Sequence, residues 1–456
     1  MRSIPAFALI LAVLAILWSG VKVTPLSSYD QRFYLGIAYD MRQHGRFTDG
    51  FAYGGGNADT RRPPGMRFTP LYPAFLAAMA SLDPRLRQGI ACVEHTLGRD
   101  PACPRAAPLT RLAQLLMLAG FYWLLWAAIG SATGSARAAW TSLALALLTA
   151  PDMLRFAATL MTETMSLLLS GAACALAAAA VRPGLGARAR ALRWLACGAV
   201  LGLAALSRPA FLYLLWAGLA AAGILALRQR SIAIATQAFA FASGTALVVL
   251  PWVLRNVLVM HRAALTFGYA SHTLIQRVAF DAMTPREYAL SFVCWLPNGA
   301  GLGRLIAGAH ACDRFGWDEH ANSFYAIGTG PLLAQSLAAA GGWSNHLHYV
   351  VHHYLLAHPF RHLLVTIPLA LRGLYIDHYW GLLLAPVSVA VMVRAWRRGR
   401  AAILLLSAPA WFLLAFNAFV AVNQPRYNFL LILPFSLAGA LLIERLLTRG
   451  SRRSCL

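Results

Sequence analysis

From Pro209 to Pro251 the chain reads PAFLYLLWAGLAAAGILALRQRSIAIATQAFAFASGTALVVLP, two apolar runs parted by Arg228, Gln229, Arg230 and Ser231. A helix of roughly 20 such residues crosses about 30 Å of hydrocarbon. A spanning segment must also satisfy its own backbone, which a helix does. Working outward, comparable runs occur at 4–24, 109–130, 137–151, 158–181, 192–207, 209–227, 232–254, 377–393, 401–421 and 427–447. The pattern predicts an all-α polytopic membrane protein with about 10 transmembrane helices. Composition agrees, since 59% of residues are hydrophobic and 12% charged, about half the charged share of a soluble protein. The stretch 360–376 fits either an interfacial helix or a re-entrant pass.

The 39 Lys+Arg against 16 Asp+Glu give a net charge of +23, but the arginines fall between apolar runs and not along one polar face. That distribution argues for topology and anionic lipid and against nucleic acid as a partner. Arg182, Arg188, Arg190 and Arg193, then Arg228 and Arg230, then Arg394, Arg397, Arg398 and Arg400, then Arg445, Arg449, Arg452 and Arg453 all fall on one side. By the positive-inside rule that side is the cytoplasm, and both termini lie there. The first run lacks a small-residue cleavage pattern, with Trp18, Lys22 and Pro25 near its end, and reads as a retained anchor. The whole chain, 1–456, reads as a single membrane-embedded domain with two extracytoplasmic loop regions, about 26–108 and 255–359, where the chemistry is expected.

Of seven cysteines, Cys92 and Cys103 fall in the first loop and Cys294 and Cys312 in the second. An oxidising compartment permits pairing within each loop, although spacing does not fix connectivity. Cys174 and Cys197 lie in apolar runs as plain core residues.

In the first loop, Asp30, Phe33, Tyr34, Ile37, Ala38 and Met41 recur at helical spacing, which predicts an amphipathic helix lying flat on the bilayer. Asp30 at its head is either an N-cap or a base toward a lipid-borne substrate, and one side chain can be both. Gly54-Gly55-Gly56 reads as a flexible linker. Arg62, held extended by Pro63 and Pro64, either presents its guanidinium to a phosphate or snorkels to headgroups. Glu163, in Leu160-Met161-Thr162-Glu163-Thr164, either meets Asp30 as a second carboxylate or pairs with an arginine of a neighbouring helix. Arg208, Arg255 and Arg426 fall at outer helix ends, where they can cradle a lipid phosphate or act as interfacial anchors. His348 with His352, or His358 with His362, have the spacing of two metal ligands on one helix face, without an HExxH.

These residues together carry a resemblance to the GT-C superfamily of polytopic glycosyltransferases, in particular bacterial relatives of protein O-mannosyltransferases and of the aminoarabinose transferase that modifies lipid A. The matching elements are D-x-x-x-Y-x-x-x-A-x-x-M-x-x-x-G-x-F from Asp30 to Phe47, R-P-P and Y-P-A-F-L-A between Arg62 and Ala77, and L-M-T-E-T around Glu163. They continue with G-L-A-A-L-S-R-P from Gly202, P-W-x-x-R-N from Pro251 and P-R-Y-x-x-x-x-x-P from Pro425 to Pro434. The resemblance implies an inverting hexosyl- or pentosyltransferase of the bacterial inner membrane, working at its outer face. A polyprenyl-phosphate-linked sugar would be the donor, with a glycan, lipid or protein hydroxyl as acceptor. Asp30 would be the base, with Glu163 in support. Arg62, Arg208, Arg255 and Arg426 would hold the donor phosphate, and Tyr34, Tyr72 and Tyr427 would contact substrate. Gln31 stands where many relatives carry a second acid, which leaves Mg or Mn open, and the R-P-P and Y-P elements are more widely spaced than in relatives.

A flippase for a lipid-linked glycan and a non-catalytic envelope-assembly subunit are the alternatives. The chain lacks the internal repeat expected of the former, and the latter would tolerate loss of Asp30.

Overall fold

The computed structural model describes residues 3–26, 30–55, 61–100, 102–317, 320–376 and 380–453. Gly56 of the triple glycine and the first three residues of the 377–393 run lie outside them. Helix is the regular structure of the described residues, with no strand among them. The chain folds into two compact units, one comprising Met1–Leu265, Val387–Pro409 and Ile432–Leu456, the other Thr266–Pro386 and Ala410–Leu431.

The first unit contains α1 (Ser3–Trp18), α2 (Gln31–Gln43), α3 (Gly50–Gly54), α4 (Leu71–Leu82), α5 (Pro84–His95), α6 (Pro108–Thr133), α7 (Ala136–Leu147), α8 (Ala150–Ala158), α9 (Glu163–Ala180), α10 (Ala187–Ser207), α11 (Ala210–Gln229) and α12 (Ile232–Met260). The second contains α13 (Tyr269–Val278), α14 (Pro285–Cys294), α15 (Gly299–Ala307), α16 (Phe324–Thr329), α17 (Pro331–Ala339), α18 (Trp343–Val350) and α19 (Pro359–Gly373). α20 (Trp380–Arg397) and α21 (Ala401–Val420) contribute to both units, and α22 (Ile432–Arg453) closes the first.

Eight helices among the described residues are long and apolar enough to cross a membrane: α6, α9, α10, α11, α12, α20, α21 and the run Pro425–Thr448. The protein is therefore a multi-pass membrane protein, with fewer full-length spans than the ten apolar runs suggest. α1 ends at Trp18 after 16 residues, about 24 Å at roughly 1.5 Å per residue. The run at 137–151 is broken after the 12 residues of α7, because Pro151 starts a new helix, α8. The 360–376 stretch belongs to a helix pair, Trp343–Leu355 and Pro359–Gly373, bent by 95°.

Short polar side chains fix the helix starts. The Asp83 carboxylate accepts from Leu86 N at 3.2 Å, capping α5, and from Leu109 N and Thr110 N at 3.1 and 3.2 Å, capping α6. Ser135 and Ser231 cap α7 and α12 in the same way. α10 and α12 approach backbone to backbone through two glycines. A Cβ on Gly198 would meet Phe241 O, and one on Gly244 would meet Leu195 O at 2.0 Å, the small-residue packing used between membrane helices. Gly244→Leu is expected to part these helices and lower the thermal midpoint of the detergent-solubilised protein, whereas Gly223→Leu on α11, where nothing lies within 4 Å, leaves it unchanged. Equal midpoints would contradict the packing.

Both within-loop disulfides form, Cys92–Cys103 and Cys294–Cys312, each with Cα atoms 5.6 Å apart. Cys174 and Cys197 are free and buried.

Candidate active site

α2 carries the first motif. Its apolar face packs against α4 and α5, so it is part of a protein core and does not simply lie on lipid as its periodicity suggests. Gln31 is buried and donates to Pro25 O at 2.6 Å, while Leu35, Ile37 and Ala38 are buried beside it. Asp30 stands at the N-cap position, its carbonyl accepting from Phe33 N at 3.0 Å, with no side-chain capping bond.

One turn on, Tyr34 joins a chain of polar contacts that collects the other motifs of the first unit. Its ring meets that of Tyr72 at 5.3 Å, edge to face. The buried Tyr72 hydroxyl donates to Gln114 Oε1 at 2.9 Å, and Thr164 Oγ1 donates to the same atom at 3.1 Å. Burial, with Glu163 and Tyr34 close by, holds the Tyr72 phenol well above its ordinary value, so it remains a neutral donor. Glu163 is 3% exposed and lies 3.7 Å from Arg208. It takes up the alternative of pairing with a neighbouring helix, while Arg208 keeps 20% of its side chain exposed. Thr69 Oγ1 donates to Ser207 O at 3.0 Å, tying the Y-P segment to the S-R-P turn.

An aromatic floor flanks this chain. Phe68 lies 6.1 Å from Phe33, 5.8 Å from Tyr34 and 5.7 Å from Tyr53, and the Arg67 guanidinium sits 4.0 Å from the Tyr53 ring centroid. Of this group, sequence reading offered Tyr34 as a substrate contact and Phe33 only as part of the apolar face of α2. Phe68 and Arg67 sit in the segment between the R-P-P and Y-P elements, whose length was the only outward signal.

Arg62 departs from its expected role. Its Nη1 bonds both Asp40 carboxylate oxygens at 2.9 and 3.0 Å, its Nε donates to Gly55 O at 2.7 Å, and its Nη2 bonds Glu94. With 1% of the side chain exposed, the guanidinium is spent on two buried acids and is not presented to a phosphate or to headgroups. Burial pushes the Glu94 carboxyl up, against the pull of Arg62.

Arg255 also holds structure together. It donates to Gly65 O at 2.7 Å and Phe47 O at 3.0 Å, and lies 4.9 Å from the Trp252 ring centroid. α12 thereby fixes the two chain segments that cross at Gly65, where an added Cβ would strike the Asp49 backbone. Asp49 accepts from Arg67 N at 2.7 Å, and burial pushes its carboxyl up.

In the second unit, Arg426 donates to Gln424 Oε1 at 2.6 Å and lies 5.5 Å from the Tyr427 ring centroid. The buried amides of Asn417, Asn428 and Asn423 form a bonded series at 3.2 and 2.7 Å next to them, ending on Leu369 O at 2.8 Å.

Among the described residues the histidine pairs gain no third ligand. His348 and His352 lie with ring centroids 4.2 Å apart and planes tilted by 42°, and both ring nitrogens of His362 are taken, by Asp281 at 2.6 Å and Phe419 O at 2.8 Å. Among the described residues, the group of three closest to a metal site is Cys92, Asp100 and Cys103, and its two sulfurs are joined to each other. Those residues do not fit Mg or Mn, which prefer oxygen ligands.

No family model and no curated protein matches the chain. Among solved structures, it is similar to ArnT from Cupriavidus metallidurans in the apo state, at 16% identity and a TM-score of 0.41, covering 96% of this chain and 77% of that one. It is similar also to the same protein bound to undecaprenyl phosphate, at 15% identity and a TM-score of 0.42 with the same coverage.

Proposed function

We propose that the protein is a membrane-embedded glycosyltransferase of GT-C type that moves a sugar from a polyprenyl-phosphate donor to a hydroxyl of a cell-envelope acceptor. The observation that carries this reading is the convergence of four motifs, distant in sequence, within the first unit: Tyr34, one turn after Asp30 on the same helix, Tyr72, Thr164 with Glu163, and Arg208. A carboxylate, hydroxyl donors and a partly exposed guanidinium beside an aromatic floor are the groups that sugar transfer from a phosphate needs.

In the proposed reaction Asp30 takes the proton of the acceptor hydroxyl as its oxygen bonds to the anomeric carbon. The bond from that carbon to the phosphate oxygen breaks, and polyprenyl phosphate leaves with inversion. Arg208 meets the charge that develops on the leaving phosphate, where preorganised donors act most strongly. Glu163 orients Arg208, Arg255 holds the Phe47 and Gly65 segments in place, Tyr34 contacts substrate, and the buried Tyr72, bonded to Gln114, supports the Tyr34 ring. Within the second unit by itself, Arg426 lies beside the Tyr427 ring and is a separate candidate for holding a phosphate. No step is routed through a metal. The site faces the outside of a bacterial inner membrane in this reading.

The test is transfer of labelled sugar from polyprenyl-phosphate donors by Arg208→Gln, scored on the folded fraction. Losing a charge-assisted bond to the leaving group is expected to lower kcat/KM by about 10- to 100-fold, with partial rescue by Arg208→Lys. Unchanged kcat/KM would remove Arg208 from the phosphate site.

A further inference from the structure

The second unit holds two buried arginines that its fold treats differently. Every nitrogen of the Arg277 guanidinium is bonded: Nε donates to Ala418 O at 2.9 Å, Nη1 to Asp281 at 2.7 Å, and Nη2 to His362 O and Thr366 Oγ1 at 2.9 and 3.1 Å. Arg372, in the last turn of α19, is 8% exposed. Its Nη1 is buried with no hydrogen-bond partner, and among the described residues no carboxylate pairs with it.

Its surroundings are two indoles. The guanidinium carbon lies 5.1 Å from the Trp295 ring centroid and 4.5 Å from that of Trp317. An aromatic face attracts a cation but leaves its N–H donors unbonded. Both indoles are held from behind: Trp295 follows Cys294 directly, and the Cys294–Cys312 disulfide anchors the segment leading to Trp317. Trp295 also meets Phe315 at 5.5 Å, and Ser323 Oγ donates to Trp317 O at 2.5 Å. The backbone under Arg372 is fixed as well, since Asn423 Nδ2 donates to Leu369 O one turn earlier.

A buried cation is ordinarily paired, and one held rigid without an acceptor calls for an explanation. The missing partner is defined by the donor: a guanidinium gives two parallel N–H bonds to a phosphate or a carboxylate. We propose that Arg372, clamped between Trp295 and Trp317, is the receptor for an oxyanion, a phosphate or carboxylate carried by a substrate. Assigning that oxyanion to a substrate rests on the transferase reading, but binding is assayed without turnover, so either can fail alone. None of the sequence motifs includes Arg372.

The experiment follows the thermal midpoint of the full chain in detergent at constant ionic strength, with inorganic phosphate, acetate, undecaprenyl phosphate in micelles, and glucose as the uncharged control. The wild type is expected to be stabilised saturably by at least one oxyanion and not by glucose. A response to inorganic phosphate identifies a soluble phosphate group, to undecaprenyl phosphate alone a lipid-borne one, and to acetate a carboxylate. Arg372→Met removes an uncompensated buried charge, so its unliganded midpoint is expected at or above that of the wild type, with apparent affinity weakened more than about tenfold. Arg372→Lys keeps the charge and loses the fork, and is expected to fold and bind more weakly. A wild type that responds to no oxyanion, or responses of Arg372→Met or Arg372→Lys equal to that of the wild type, would overturn the proposal. So would a lower unliganded midpoint in Arg372→Met with its response retained, since that marks a purely structural cation.

Discussion

Arg62→Met is expected to destabilise the protein by about 3–5 kcal/mol, the cost of leaving buried charge without its partner. Asp40 and Glu94 are both fully buried, and the one guanidinium bonds to both at once. Thr48 Oγ1 donates to Asp40 as well, but a hydroxyl cannot replace a charge. The loss should appear as a lower thermal midpoint of the solubilised protein. It should be partly reversed when Asp40→Asn and Glu94→Gln are added, because those changes remove the stranded charges. A single variant as stable as the wild type would show that Arg62 does not hold the acids of α2 and α5 together.

Asp30→Asn is expected to lower sugar transfer by about 10²–10⁴-fold, the usual contribution of a positioned general base, with folded yield unchanged. Asparagine caps a helix as well as aspartate does, and the Asp30 side chain makes no capping bond in any case. The substitution therefore separates the two readings of this residue. Loss of activity with intact folding assigns Asp30 to chemistry, and equal transfer would leave it at the head of α2 with a structural part only.

The all-helical membrane fold was legible in the apolar runs, but their lengths were not. Windows of composition see Ile4–Trp18 continue to residue 24, whereas the helix stops at Trp18. They see 137–151 as continuous, whereas Pro151 restarts the chain. The within-loop cysteine pairs were visible as candidates, with partners 11 and 18 residues apart, while the spacing left open whether they join. Arg62 was misread for the opposite reason. Its flanking prolines are local, but Asp40 and Glu94 stand 22 and 32 residues away, and nothing in the spacing announces that three helix and loop segments meet there. Gln114, the hub between Tyr72 and Thr164, and Arg372, between two tryptophans, carry no motif at all. What sequence offers is the chemistry of each side chain; which charges cancel depends on packing between distant segments.

The central claim is transfer from a lipid phosphate, and the most direct measurement is turnover by the purified full chain. A donor labelled in its sugar is supplied as a polyprenyl-phosphate conjugate together with cell-envelope extract as acceptor, and released polyprenyl phosphate is quantified against sugar incorporated. The account predicts equal amounts of the two, dependent on Asp30. Movement of the intact conjugate across a bilayer, with its sugar–phosphate bond unbroken, would contradict it.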